Sequence, residues 1–259
     1  EMCIRDSQKS NQICLYLGLR GQNYLRTFPF GQGWGFGTVN PKIWEDWSDD
    51  DIRKTGSIFN VTNRNEVVLY TFGADSHVDE TSYVQKKYIP INVYADGTHT
   101  VVHNYSMELY GNTVDNYMLN NTQDLVLIRF ADVLLMAAEL NLGTAKAQSF
   151  LDRVRARVNL PSVPATLDNI KAERRFELAF EGVRFYDLLR WHDADRVLNE
   201  NQKDIIIYRS RTETVTKTIT YRPETNGFLQ IPLSEIELSK GVLTANPGWG
   251  SEAAYQDIY

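Results

Sequence analysis

The chain has 259 residues and a formal net charge of −6, with 42% hydrophobic and 12% aromatic residues. That length suits one large domain or two small ones. Without a block of Lys or Arg, the acidic balance argues against a nucleic-acid-binding surface. No apolar run approaches the ~20 residues that span a bilayer, and Cys3 and Cys14 are too few for a disulfide framework or a zinc site.

Residues 1–20 are interpreted as a non-native or disordered leader. The chain opens with EMCIRDS, which has neither the layout of a signal peptide nor a clear periodicity. We therefore expect one folded domain over residues 21–259.

Glycines and aromatic residues crowd together between residues 14 and 40, most densely in GQGWGFG. Glycine costs ~1 kcal/mol relative to alanine inside a helix, so a loop is predicted here. The loop lacks the Lys-Ser/Thr pair of a phosphate-binding loop. Rings held among glycines suit stacking on a sugar face, with close backbone approach, or they simply plug a surface groove. The candidate ligand-binding residues, in order of preference, are Trp34, Phe36, Trp44, Tyr24 and Trp47.

Acidic residues follow these rings, at Asp46 and at Asp49 to Asp51. Carboxylate oxygens are ligands that Ca²⁺ prefers, so a calcium site is one interpretation. The spacing is not that of an EF-hand, however, and the four histidines are scattered without metal-ligand spacing. No metal or cofactor is predicted.

Short extended segments lie on both sides of a helical region. Glu66–Phe72 is rich in β-branched residues and strand-like, and Lys86–Tyr94 is predicted to be extended. Asp204–Arg209 and Thr214–Tyr221 alternate β-branched residues around a polar turn, which predicts an antiparallel hairpin. Further on, Ser234 is predicted to cap a short helix.

The helical region covers about residues 123–192 and is predicted to form the stable core. Its first helix pattern, from about Gln123 to Leu142, is apolar on most of its circumference, as in a helix buried on several sides. Gly143 is predicted to end this helix in a left-handed cap, and Thr144 to cap the next. Two helices joined so tightly must lie antiparallel.

Two X-Pro pairs, at Pro161 and Pro164, end the second helix pattern. Thr166 is predicted to cap a third helix, Gly182 to interrupt it, and Arg184 to Trp191 to form a further short helix. The stretch Leu125–Asn159 is close to the ~34 residues of one tetratricopeptide unit.

The third helix pattern is dense in charges of both signs. Carboxylates at four-residue steps share one helix face and can reach neighbouring arginines. One interpretation is the paired carboxylates of a glycoside hydrolase. The favoured one is an ion-pair network that fixes how the helices dock. It would include Glu173, Arg174, Glu177, Glu181 and Arg184.

Three separate stretches resemble the SusD/RagB family. RFADVLLMAAEL, FLDRVRARVNL and AERRFELAFEGVRFYDLLRW together are similar to its C-terminal motif. GQGWGFGTVNPKIWEDWSDDDIRKTGSIF is similar to its Gly-Trp loop and the Asp-x-Arg segment that follows, where Asp51 and Arg53 match. GFLQIPLSEIELSKGVLTANPGWG is similar to its closing motif, although Gln230 and Ala245 depart from the usual residues.

The resemblance implies a mainly α-helical fold of tetratricopeptide-like repeats, decorated by a loop-rich, partly β-hairpin region. It further implies a non-enzymatic, surface-exposed outer-membrane lipoprotein of Bacteroidetes that binds a glycan or another nutrient. The implied partner is a SusC-type TonB-dependent transporter. Family members are roughly twice this length, so we expect a C-terminal part without the secretion signal, the lipid anchor and the first helical repeats.

Two other functions compete with glycan binding. A glycoside hydrolase needs two carboxylates facing a cleft, whereas the dense carboxylates here are better explained by helix docking. A helical-repeat scaffold that binds only protein leaves the glycine- and aromatic-rich loop around GQGWGFG, called the Gly-aromatic loop below, without a purpose. The sequence therefore favours a non-catalytic glycan-binding protein.

Overall fold

The computed structural model of the protein describes residues 12–22, 27–63, 70–73, 80–94, 102–104, 125–200, 205–208, 213–218 and 220–250. The chain divides into two compact units, residues 1–182 with 205–216 and residues 183–204 with 217–259. Among the described residues, no helix is long and apolar enough to cross a bilayer. The predicted mainly α-helical class is confirmed, whereas one domain over residues 21–259 stays a prediction.

The first unit begins with short elements and continues with longer helices. Its short helices are α1 (Gln12–Leu17), α2 (Pro41–Asp46) and α3 (Ile52–Ser57). Two antiparallel strand pairs join β1 (Ile58–Asn60) to β2 (Tyr83–Gln85) and β3 (Asn92–Tyr94) to β4 (Val102–Asn104). The longer helices are α4 (Phe130–Leu140), α5 (Ala145–Ala156) and α6 (Leu167–Glu177).

The remaining elements are short. The second unit contains α7 (Arg184–Arg190), a π-helical turn (Arg196–Glu200), a 3₁₀ turn (Pro223–Thr225) and α8 (Leu233–Leu238). The two strands of the predicted hairpin pair in a two-stranded sheet of β5 (Ile205–Tyr208) and β6 (Thr214–Lys217), and the predicted turn between them lies outside the described residues. Most of the predicted strand Glu66–Phe72 lies outside the described residues, and residues 70–72 are not part of a strand.

Residues 12–20 are folded, so the leader interpretation was wrong for them. Cys14, Leu15 and Leu19 are buried, and Leu19 belongs to an apolar cluster with Phe59 and Val84. Burying such side chains stabilises a fold by roughly 1.5–3 kcal/mol each. Residues 1–11 lie outside the described part of the chain.

Helices α4, α5 and α6 enclose one apolar core. Its buried members are Leu134, Leu135, Ala138, Leu151, Val154 and Ile170, and those of α5 and α6 lie at the helical spacing that the sequence predicted. The expectation that α4 is buried on several sides was wrong, because Phe130, Val133 and Leu140 are exposed. The boundaries follow the predicted capping chemistry. Gly143 adopts φ +79° after α4, Thr144 Oγ1 accepts a hydrogen bond from Ala147 N, and Thr166 Oγ1 accepts one from Asn169 N.

Three predicted helix limits were wrong. Helix α4 begins at Phe130, because Arg129 is extended and sends its side chain towards Glu177. Helix α6 ends at Glu177, well before Gly182, because the Glu177 carbonyl accepts hydrogen bonds from Arg129 and Lys87 instead of a helical N–H. Helix α8 has Pro232 rather than Ser234 at its N-cap position.

A network of buried ion pairs joins the helical core to the segment around α3. The carboxylate of Glu177 is fully buried and accepts hydrogen bonds from Arg53, Arg129 and Arg157. Arg53 lies near the start of α3, Arg129 just before α4, and Arg157 just after α5. One carboxylate therefore fixes three segments that are distant in sequence.

The neighbouring carboxylates extend this network. Glu173 pairs with Arg53 and Arg155, each at 2.6 Å. Glu181 pairs with Lys87 at 2.5 Å and with Arg129 at 2.7 Å. The predicted roles of Glu173, Glu177 and Glu181 are thus confirmed.

The arginines of α6 join this helix to other elements, as was predicted for Arg174. Arg174 pairs with Asp132 on α4, and Arg175 pairs with Asp46 on α2, both at 2.7 Å. Arg184 is the first residue of α7 and belongs to the second unit. The partners of the three glutamates therefore come from other segments than α6 itself.

Removing the Glu177 carboxylate should destabilise the protein markedly. In Glu177→Ala, Arg53 stays buried with fewer partners, and breaking a buried pair costs about 3–5 kcal/mol. The measurement is the free energy of unfolding in denaturant, with the exposed substitution Lys146→Ala as control. Equal losses in the two variants would show that the network behaves as a solvated surface.

The same network should govern stability in acid. Burial alone would raise the pKa of Glu177, but hydrogen bonds from Arg129 and Arg53 hold this pKa below its ordinary value. Such a group stabilises the fold above its unfolded-state pKa, and that contribution is lost as the pH falls through the folded-state pKa. The free energy of unfolding should therefore decline with acidification, and less steeply in Glu177→Ala.

Candidate functional site

Three aromatic rings lie together on the surface of the first unit. Tyr16, Trp34 and Phe36 have exposed fractions of 37%, 39% and 59%. The Tyr16 ring centroid is 5.1 Å from that of Trp34 and 6.4 Å from that of Phe36, with interplanar angles of 58° and 48°. We call these three residues the aromatic platform. Its rings offer apolar surface at several tilts to a ligand outside the fold.

Backbone hydrogen bonds hold the platform in place. Trp34 N donates to Leu15 O at 2.7 Å, and Phe36 N donates to Tyr16 O at 2.9 Å. The last carbonyls of a helix have no partner within it, so the Gly-aromatic loop supplies donors to the end of α1. These main-chain contacts hold the backbone that carries the three rings.

The glycines of the loop allow its backbone to lie close to the backbone of α1. A Cβ on Gly33 would lie 2.4 Å from Leu15 O, and one on Gly37 would lie 2.4 Å from Leu17 O. Both distances are far below van der Waals contact, so only glycine allows the loop to approach α1 this closely. The sequence interpretation assigned the close approach to a sugar, whereas the structure shows it between two protein segments.

The other ring candidates are not part of the platform. Trp44 is half-buried and stacks on Tyr83 at 4.9 Å, with Lys54 Nζ 4.5 Å from its ring centroid. Trp47 is only 2% exposed, stacks on Phe176 and donates from Nε1 to Asp51 at 2.8 Å. A ring so enclosed cannot stack on a ligand, so its selection was wrong.

Two tyrosines remain to be compared with the predicted ligand-binding residues: Tyr24, which was predicted, and Tyr16, which was not. Tyr24 lies outside the described residues. Tyr16 was not selected, although it belongs to the same glycine-rich, aromatic run as Trp34 and Phe36. Its position two residues before Gly18, within that run, could have indicated an exposed ring.

The acidic residues near α2 and α3 are used in ion pairs. Asp46 pairs with Arg175, Asp49 with Lys54, and Asp51 with Arg53. Among the residues that the structure describes, no group of three or more His, Cys, Asp or Glu side chains could hold a metal ion. The geometry thus gives the calcium interpretation no support.

The carboxylates of α6 are poorly suited to acid catalysis. A general acid in glycoside hydrolysis needs a raised pKa, so that it carries a proton near neutral pH. Although burial raises the pKa of Glu177, the hydrogen bonds of Arg129 and Arg53 outweigh it and lower this pKa. Both carboxylate oxygens of Glu177 also accept hydrogen bonds from arginines. Glu177 is therefore an ionised structural group.

Comparison with known proteins identifies relatives over most of the chain. The model of the SusD family matches residues 20–249. A SusD-like protein, P2, of Formosa agariphila is 25% identical over 201 residues, which are 71% of this chain and 36% of that protein. The match to the family model includes both the Gly-aromatic loop and the helical core.

Solved structures show the same fold. A laminarin-binding SusD-like protein is 31% identical, superposes with a TM-score of 0.67, and is matched over 92% of this chain and 44% of its own. Surface glycan-binding protein A from Bacteroides thetaiotaomicron, solved in complex with laminarihexaose, is 26% identical with a TM-score of 0.59 over 85% of this chain and 43% of its own. The chain thus spans less than half of the length of these relatives.

Adding a methyl group at Gly33 should disturb the platform. In Gly33→Ala the new Cβ meets Leu15 O at 2.4 Å, so the loop must move away from α1. We expect a loss of roughly 1–3 kcal/mol of stability and a changed fluorescence spectrum of the exposed Trp34. Gly56→Ala in α3 is the matched control, because nothing lies within 4 Å of its added Cβ. Identical behaviour of both variants would contradict the close-approach argument.

Proposed function

Because this chain belongs to the SusD family, we propose that its aromatic platform binds an oligosaccharide without cleaving it. The observation that carries the proposal is the exposed group of Tyr16, Trp34 and Phe36. Exposed rings bind sugars by presenting a rigid apolar face to C–H groups, with little loss of side-chain entropy.

The relatives indicate which oligosaccharide to test first. One similar protein is described as laminarin-binding, and another was solved with laminarihexaose. Both are more than 25% identical to this chain, so laminarihexaose is the first ligand to try. Since the chain spans less than half of those proteins, residues elsewhere in a longer protein would add to the site.

The proposal assigns no chemistry to the bound sugar. The most densely placed carboxylates, on α6 and just after it, are engaged by arginines and lysine. A binding protein needs only favourable contacts with the ligand, whereas a hydrolase needs a protonated acid beside a second carboxylate. The glycan should therefore emerge unchanged from incubation with the protein, as chromatography of the products would show.

We place this binding at the surface of the outer membrane. There the whole lipoprotein would hold the glycan and pass it to a SusC-type TonB-dependent transporter. Family membership supports this placement. The test is co-purification of the longer protein with a transporter in mild detergent; repeated recovery without any transporter would count against the partner.

Truncating the platform rings should weaken glycan binding. Trp34→Ala and Phe36→Ala each remove an exposed ring, and loss of such a ring at the centre of an interface often costs about 2 kcal/mol, roughly thirtyfold in affinity. Isothermal titration calorimetry with laminarihexaose measures the change. Circular dichroism and thermal unfolding verify that each variant is folded.

A matched control separates ring loss from a general effect of truncation. Phe130→Ala removes a ring of similar exposure, 63% against 59% for Phe36, that contacts Arg153 rather than the platform. It should leave laminarihexaose affinity unchanged. If Trp34→Ala and Phe36→Ala also bind normally, the glycan does not use the platform.

A further inference from the structure

Helix α4 has an apolar face on the side that faces away from the helical core. Val133, Met136 and Leu140 are exposed to 44%, 38% and 86%. Because an α-helix turns by about 100° per residue, these three residues lie opposite the buried residues that α4 contributes to the core. We call them the outer face of α4.

Exposed apolar surface continues into the extended segment before α4. Leu127 and Ile128 in this segment are both exposed. Phe130 is left out of the outer face, because Arg153 of α5 already lies 5.3 Å from its ring centroid. Soluble domains rarely expose so many neighbouring apolar residues unless another element covers them.

The position of α4 in the fold indicates what kind of element this is. Helices α4 and α5 form one hairpin, and α6 packs against this hairpin through Ile170. In proteins built of helical repeats each unit contacts its neighbours, and the unit at the end of the array has a polar outer face. The outer face of α4 is apolar instead, as in a unit that has a neighbour on both sides.

The composition of α4 argues against a lipid surface as the occupant. A helix that lies on a membrane combines its apolar face with Lys and Arg at the rim. Helix α4 contains Asp132 and Glu139 and neither Lys nor Arg. Protein is therefore the better match to this face.

We propose that the outer face of α4 packs against an amphipathic helix from the part of a longer protein that lies outside this chain. The chain spans less than half of the length of its solved relatives. The spacing i, i+3 and i+7 of Val133, Met136 and Leu140 is the spacing at which one helix anchors on another. A segment of the same polypeptide has an effective concentration of about millimolar, which favours it over a second copy.

The accessibility of position 140 tests this proposal. Leu140→Cys should react rapidly with a maleimide in this chain and at least about tenfold more slowly in the longer protein, where it reacts only through local opening. Mass spectrometry of the peptides identifies the labelled site. Val242→Cys is the matched control, because Val242 is exposed to 84% and belongs to the second unit. It should react equally fast in both proteins.

Thermal unfolding provides a second measurement on the same position. Leu140→Lys should lower the melting temperature of the longer protein, since a charge would then be buried against apolar surface. The same substitution should leave the melting temperature of this chain nearly unchanged. Leu140→Met keeps an apolar side chain of similar volume and should be tolerated in both proteins.

Two results would overturn the proposal. One is labelling of Leu140→Cys in the longer protein as fast as in this chain. The other is labelling of this chain that slows as its own concentration rises, which would assign the face to a second copy. Either result leaves the platform proposal standing, because Tyr16, Trp34 and Phe36 are not part of α4.

Discussion

The buried carboxylate of Glu177 is the interaction on which the first unit depends. Three arginines converge on it from segments before α4, after α5 and within α3. Their charges offset the cost of burying an ionised group, and the Glu177 carbonyl takes further hydrogen bonds that end α6. The contacts of Glu177 thus determine where α6 ends, how the helices of the core pack together and how α3 is attached to them.

The sequence predicted the helical core well because its rules act locally. Caps at Thr144 and Thr166, the left-handed turn at Gly143 and the buried positions of α5 depend on neighbours a few residues away. The limits of α4 and α6 were missed because contacts with Arg129 set them, and Arg129 lies about fifty residues from Glu177 and Glu181. Local patterns contain no information about such partners.

The sequence predicted the candidate site only in part, again because local patterns contain no information about distant partners. Glycines and rings in one short run correctly indicated a loop that exposes Trp34 and Phe36. Composition could not show that Trp47 is buried while Trp34 and Phe36 are exposed, because the burial of Trp47 depends on Phe176 and Asp51 in other elements. Tyr16 was not selected, and its place beside Trp34 and Phe36 depends on contacts between α1 and distant segments, such as the packing of Leu19 against Phe59.

The hydrogen bonds between the Gly-aromatic loop and α1 affect which positions of the aromatic platform can change during evolution. Main-chain hydrogen bonds and glycines hold the loop against α1, whereas the side chains of Trp34 and Phe36 are partly exposed to solvent. Those two positions can accept new side chains while the scaffold keeps its shape. Under the proposed function, single substitutions at these two positions would change which sugar the platform prefers and would leave the backbone of the loop and of α1 as it is.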